Sequence, residues 1–368
     1  MTSPKNFFIK GLAITTPILG RISIGHREER NGKILPVRDD EISITSQVRR
    51  GMEYAAHPIE AELLNAVEAK ANAEKKLRSI PVKLMYNNPE LNIQAGYSAF
   101  ESSTGRQLCV GDGVKARRYS HQDNKTNEVE CNGPQYCEFA KTYRCKLHAR
   151  LNVQIEGQDD PMGAFVFRTS GYNSVRTLIY KLQGFYSLFN GKLRGIPLSL
   201  VMRAKSTAQS MGQPVYYLDL VLRGKTPQEA MQIANETAKA EADAGMSQAE
   251  FEETMMAGLK NSAFLETEED GIDIVEEFFT ESDDYSAPSA PAASTKAGGL
   301  NSLQKVLPNK TNEAKKSPAQ TQAQSGTLEP QQSPVEITMV SDVSEMSLTG
   351  FQLPPEIAEQ FSTNTQAS

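Results

Sequence analysis

The sequence predicts an α+β protein: a mixed or antiparallel sheet with packed helices, an inserted four-cysteine module, C-terminal helices and a disordered tail. Three observations lead there. Short β-rich runs alternate with helical periodicities as far as residue 225. All four cysteines of the 368-residue chain fall between Cys109 and Cys145. Beyond Phe264 the composition turns acidic and then rich in Ala, Pro, Ser, Thr and Gln.

Phe7–Ile14 and Ile42–Val48 read as strands, and Pro58–Arg78 as an amphipathic helix with Leu63, Leu64 and Val67 on one side. Pro81–Tyr86 and Leu91–Phe100 are short strands leading into the cysteine segment. Arg150–Glu156 and Ala164–Thr169 are strands joined by Gly157-Gln-Asp-Asp-Pro161, which has hairpin-turn composition. Val175, Leu178, Leu182, Phe185 and Phe189 recur at helical spacing, and Asn190-Gly191 supplies a left-handed stop. Strands Ile196–Met202 and Pro214–Leu222 follow, the second with poor alternation that suits burial on both faces. Thr226-Pro-Gln-Glu229 and Ser247-Gln-Ala-Glu250 are capping boxes that open helices to about Ala244 and Phe264.

These elements divide the chain into a basic body over 1–225, a helical pair over 226–265, an acidic then disordered linker over 266–335, and a short apolar motif over 336–368. From Tyr285 to about Val335 too little apolar surface is available to offset the entropy of ordering. Charge follows the same division: residues 1–230 carry a net +10 and the remainder −16, together the chain's −6. A basic body suits a polyanionic partner. No run of 18 apolar residues suggests a membrane span. The N-terminus lacks the pattern of a signal peptide, so a cytoplasmic location is expected.

Cys109, Cys131, Cys137 and Cys145 lie among polar, Gly-containing turns, with His148 close behind. Four thiolates aimed at one point satisfy tetrahedral zinc, and disulfides are rare in the cytosol, so structural zinc within a module at 109–148 is favoured over two disulfides. His121 and His148 could substitute as ligands, although with four cysteines available each reads better as a surface histidine. A closed four-sulfur site leaves no position for water, which argues against metal-assisted hydrolysis.

Catalytic constellations are weak. His26, His57, His121 and His148 match no metalloprotease spacing, Gly111-Asp-Gly113 lacks the lysine of a phosphate loop, and Asp159-Asp160 reads as turn chemistry. Between Pro161 and Lys225, by contrast, nine basic residues face one acidic residue, Asp219. Arg168, Arg176, Lys192, Arg194 and Arg203 are the phosphate-contact candidates, with Phe167 and Tyr172 the stacking candidates. Binding through them should depend weakly on sequence and steeply on salt. The acidic run Glu266–Asp284, with ten carboxylates and no basic residue, is tethered to this body and can reach its basic face, where it would compete with DNA; a solvated acidic linker that only aids solubility is the equal alternative.

One resemblance joins these parts. The succession Cys109-x-x-Asp-Gly, Cys131, Cys137-x7-Cys145-x4-Arg150-Leu-Asn-Val, then Phe167-Arg-Thr-Ser-Gly-Tyr-Asn173, the helix to Phe189 and Gly195-Ile-Pro-Leu resembles the recombination directionality factors of serine-integrase phages. Relatives of that family are recorded loosely as metal-binding proteins or hydrolases. The resemblance spans about 90–225. It implies zinc on Cys109, Cys131, Cys137 and Cys145, and a non-enzymatic role in recombination, in which contact with an integrase switches it from integration to excision. The expected partners are an integrase or other recombination protein, and DNA with weak sequence specificity. The alternative is a single-stranded DNA-binding or annealing-associated protein of a mobile element; a hydrolase comes third.

Overall fold

The computed structural model describes residues 8–30, 33–51, 53–68, 76–208 and 210–279, all within one unit spanning Met1–Ser294. The expected disordered stretch over 285–335 and the motif over 336–368 lie outside the described residues.

Among the described residues, twelve strands form one mixed sheet. Its main path runs β3 (Glu53–Ala56), β2 (Lys33–Arg50), β1 (Ile18–Arg30), β10 (Ala164–Thr169), β9 (Lys146–Ile155), β5 (Ile93–Phe100), β6 (Gln107–Gly111), β7 (Lys115–Ser120) and β8 (Lys125–Glu130). β4 (Ser79–Lys83), β11 (Leu198–Ser206) and β12 (Pro214–Leu222) branch from β9 through β4. β1 and β10 pair in parallel, and the other ladders are antiparallel.

Alternation along β9 and β10 separates two chemistries. Leu151, Val153, Ile155, Phe165 and Phe167 point into the main core. There they meet Leu178 and Leu182 of α4 (Tyr172–Leu188), and Leu198, Leu200, Leu218 and Leu220 of β11 and β12. Each such fully buried side chain contributes about 1.5–3 kcal/mol. His148, Arg150, Asn152 and Arg168 fall on the intervening positions and are also buried. β12 holds Leu218, Asp219 and Leu220 buried in succession, as its poor alternation anticipated.

Several elements end where local chemistry places the stop. α4 closes before Asn190 and Gly191, both at positive φ (49° and 77°). α5 (Pro227–Asp243) opens on a complete capping box from Thr226 and Glu229, and α6 (Gln248–Lys260) on the Ser247 hydroxyl, which accepts from the Glu250 amide.

Other expectations need correction. Residues 8–14 form no strand: they cross the end of α6, where Gly11 N–H donates to Asn261 O and Ile14 N–H to Gly258 O, each at 3.1 Å. The helix from Pro58 is described as far as Glu68, α1 (Pro58–Glu68), and does not extend through Arg78. Lys76–Arg78 run extended toward β4, with Leu77 O accepting from Ile42 N–H at 2.7 Å and Lys76 and Arg78 holding Asp40. Before β5, Pro89–Asn92 make one helical turn, α2, capped by Asn88. The acidic run is no bare linker either. Its first part folds as α7 (Glu268–Phe278), capped by Thr267, with Glu268, Glu269 and Asp270 in the first turn where they complement the helix dipole.

Candidate functional sites: a thiol cluster and an arginine face

The β5–β8 meander and the short helix α3 (Glu138–Tyr143) bring the four cysteines together. Cys109 sits on β6, Cys131 just past β8, Cys137 at the N-cap of α3, and Cys145 before β9. Cys109 and Cys131 are buried with Ala99 and Ala116, and Cys145, Phe139 and Tyr143 pack against them. Arg144, at φ 49°, turns the chain out of α3, and Cys145 N–H donates to Ala140 O at 3.3 Å. All four are free thiols. The Arg118 guanidinium enters the cluster, its Nη2 3.4 Å from Cys137 Sγ, and lies over the Phe139 ring.

Burial pushes the Cys109 thiol up against the opposing pull of Arg118. Burial and the three neighbouring thiols push Cys145 up to about 12. A cluster that so disfavours thiolate is one in which a bound dication would reverse the preference. In residue type and convergence the four thiols suit zinc, but no three of their sulfurs come within 4.8 Å of one another. Among the described residues, three His, Cys, Asp or Glu ligating atoms come within 4.8 Å of one another only at His26, Asp39 and Glu41, and Lys76 already holds Asp39 at 3.0 Å.

The second site was not visible as a site in the sequence. In the β9–β10 ladder Arg150 lies directly opposite Arg168, a like-charge pair that destabilises a sheet unless an anion intervenes. Glu266 is that anion. Its carboxylate receives Arg168 at two atoms, 2.7 and 3.1 Å, and lies 3.5 Å from Arg150 Nη1. Burial alone would raise the Glu266 carboxyl; Arg168 and Arg150 outweigh it and hold the group well below the usual carboxylate range. His148 is no surface residue: it is buried beside Phe100, Phe278 and Phe279, with Nε2 3.7 Å from Glu266.

The pairing continues outward along α7. Asp270 bridges Arg168 (3.3 Å) and Arg21 (2.9 Å), and Asp273 takes Arg21 (2.9 Å), Arg49 and the Tyr54 hydroxyl. Arg21 and Arg49 both lie over the Tyr54 ring. Ile274, Phe278 and Phe279 fill the apolar end against Phe100. The acidic segment therefore does reach basic residues of the body. Beside the network is a cavity of about 370 Å³, lined in part by Ser98, Gln107, Met256 and Leu259; Arg150 and Glu266, which also line it, already face each other.

The five phosphate-contact candidates do not share one surface. Arg168 is buried against Glu266. Arg194 is held by Glu241 at 2.6 Å and by Met85 O at 2.8 Å, and Lys192 reaches Asn235 of α5 at 2.5 Å. Arg203 is half exposed, 3.3 Å from Asp219, which Lys181 of α4 also approaches at 3.6 Å. Arg176 is exposed on α4. Of the stacking candidates, Phe167 belongs to the core while Tyr172 is exposed. The outward face of α4 thus presents Tyr172, Arg176, Ile179 and Tyr180, the last 74% exposed, and Arg203 stands nearby around Asp219. Asp160 caps its own turn, accepting from Met162 N–H at 2.8 Å, as expected of turn chemistry.

The chain thus combines a mixed sheet, a thiol cluster at one end of it, a helix bearing exposed aromatics and a buried ion-pair network. The chain belongs to the Gp3-like, recombination directionality factor-like family, whose model matches residues 19–223, more than half of the 368 residues. That family is one of phage recombination accessory factors. No curated protein and no solved structure matches the chain. Among the described residues no helix is long and apolar enough to cross a membrane.

Proposed function

We propose that the protein is a zinc-stabilised accessory factor that modulates a serine integrase through protein contact. Membership of the directionality factor-like family carries this reading. The outward face of α4 supports it further. Tyr172, Ile179 and Tyr180 with Arg176 form an aromatic and cationic stripe inside the matched span, the composition enriched at protein interfaces. Zinc on Cys109, Cys131, Cys137 and Cys145 would fix the β6–β9 loops and so the end of the sheet. Its support is the convergence of four free thiols in one cluster. DNA is a secondary partner in this reading, reached through the exposed Arg176 and the half-exposed Arg203 rather than through Arg168 or Arg194, which are more enclosed with their carboxylate partners.

Co-purification from cells carrying the parent element tests the proposal. The expected result is recovery of an integrase by the wild-type chain and its loss with Tyr180→Glu. Recovery of an exonuclease and an annealing protein instead would favour the single-stranded DNA alternative.

A further inference from the structure

We propose that the arginine face of the sheet is a docking surface for an acidic amphipathic helix of a partner protein, and that α7 is its exchangeable occupant in cis. The inference is independent of the α4 surface. Arg21, Arg49, Arg150 and Arg168 all lie within the matched residues 19–223, whereas the segment that neutralises them, Glu266–Phe279, lies wholly beyond the match. The surface belongs to the family's body, and its cover to an extension.

The cover has a definite pattern. Asp270 and Asp273 stand three residues apart on one face of α7, Glu266 lies just before its cap, and each of the three meets arginines from two strands. Ile274 and Phe278 continue the element into the apolar end at Phe100. A nucleic-acid backbone could match the charges but not fill that end; an acidic helix matches both. The contact is graded along its length. Glu266, Arg150 and Asp273 are almost fully enclosed, while the side chain of Arg49, the partner of Asp273, is 42% exposed, so solvent reaches the network first at the Arg49 end. Because α7 follows α6 by a short connection, it competes at an effective concentration of about millimolar, enough to mask the face from a free ligand.

Gly271 offers a way to loosen α7 without altering any charge. A Cβ there would lie 1.8 Å from Gly105 O in the β5–β6 turn, so Gly271→Ala must lift the helix. The probe is a fluorescent synthetic peptide of residues 264–279 added to the full-length chain. If Gly271→Ala raises the open fraction about tenfold, it binds the peptide about tenfold more tightly than wild type, and a peptide with Asp270→Asn and Asp273→Asn loses binding. The milder Asp273→Asn in the full chain, which loosens only the outer end, should shift affinity in the same direction. Hydrogen exchange on the wild-type chain gives a second measurement: the α7 amides should open well before those of β9 and β10. Absence of peptide binding by every chain overturns the proposal, as does exchange of α7 in step with β9 and β10, which would make it part of the cooperative core. So does a gain by duplex DNA in place of the peptide, which would make the face a phosphate site.

Discussion

Arg150 and Arg168 illustrate what a single residue's neighbours decide. Read along the chain, Arg168 counted as a phosphate contact and Arg150 as one more charge of a basic body. In the fold they oppose each other across a ladder and are buried, so their anion is supplied from within, by Glu266. The signal lay in the sequence, since both occupy alternate positions in apolar strands, but the register that sets them face to face did not. Replacing Glu266 with Gln leaves two buried guanidinium groups facing each other, and about 3–5 kcal/mol of stability should be lost in urea unfolding. The pH dependence follows from the depressed carboxyl. Its contribution is complete above the ordinary value of 4.5 and is lost as pH falls through the lower folded-state value. Wild type should therefore lose stability below about pH 4.5 more steeply than Glu266→Gln, whose amide does not titrate. Parallel acid limbs for the two proteins would mean that Glu266 is not the group that matters.

At the scale of elements, those with strong local chemistry were legible. The Thr226 capping box, the Asn190-Gly191 stop and the β9–β10 hairpin turn all stand where their residues put them. Elements that owe their state to tertiary contact were not: residues 8–14 are coil because α6 takes up their amides, and α7 is a helix seated on arginines beneath it. The cysteine segment lies between these cases. Its spacing announced a shared purpose, and the meander gathers the thiols, yet Arg118 among them could not be foreseen from spacing. Native mass spectrometry of protein purified without added metal should show one zinc per chain. Cys137→Ser should lose it, together with stability on the order of several kcal/mol, because loops of this kind rely on the metal in place of a core. A metal-free wild-type chain that is fully folded contradicts the zinc proposal.

For the whole molecule, the segregation of charge was the most telling feature of the sequence. The body of net +10 meets the described start of the acidic remainder where Glu266 and α7 contact β1, β2, β9 and β10. The α+β class was legible from alternating periodicities. The strand order was not, because the parallel joint of β1 to β10 unites segments more than a hundred residues apart with no local mark. The resemblance over 90–225 corresponds to a family match extending over 19–223, so the N-terminal strands β1 to β3 belong to the same body. The central claim is that this body redirects an integrase by binding it. It is tested most directly in a purified reaction containing the parent element's integrase and either the separate or the already recombined sites. Addition of the chain should stimulate excision from recombined sites and suppress integration between separate ones, with Tyr180→Glu weakening both effects. Product yields unchanged in both directions, with the chain folded and in excess, would contradict the account.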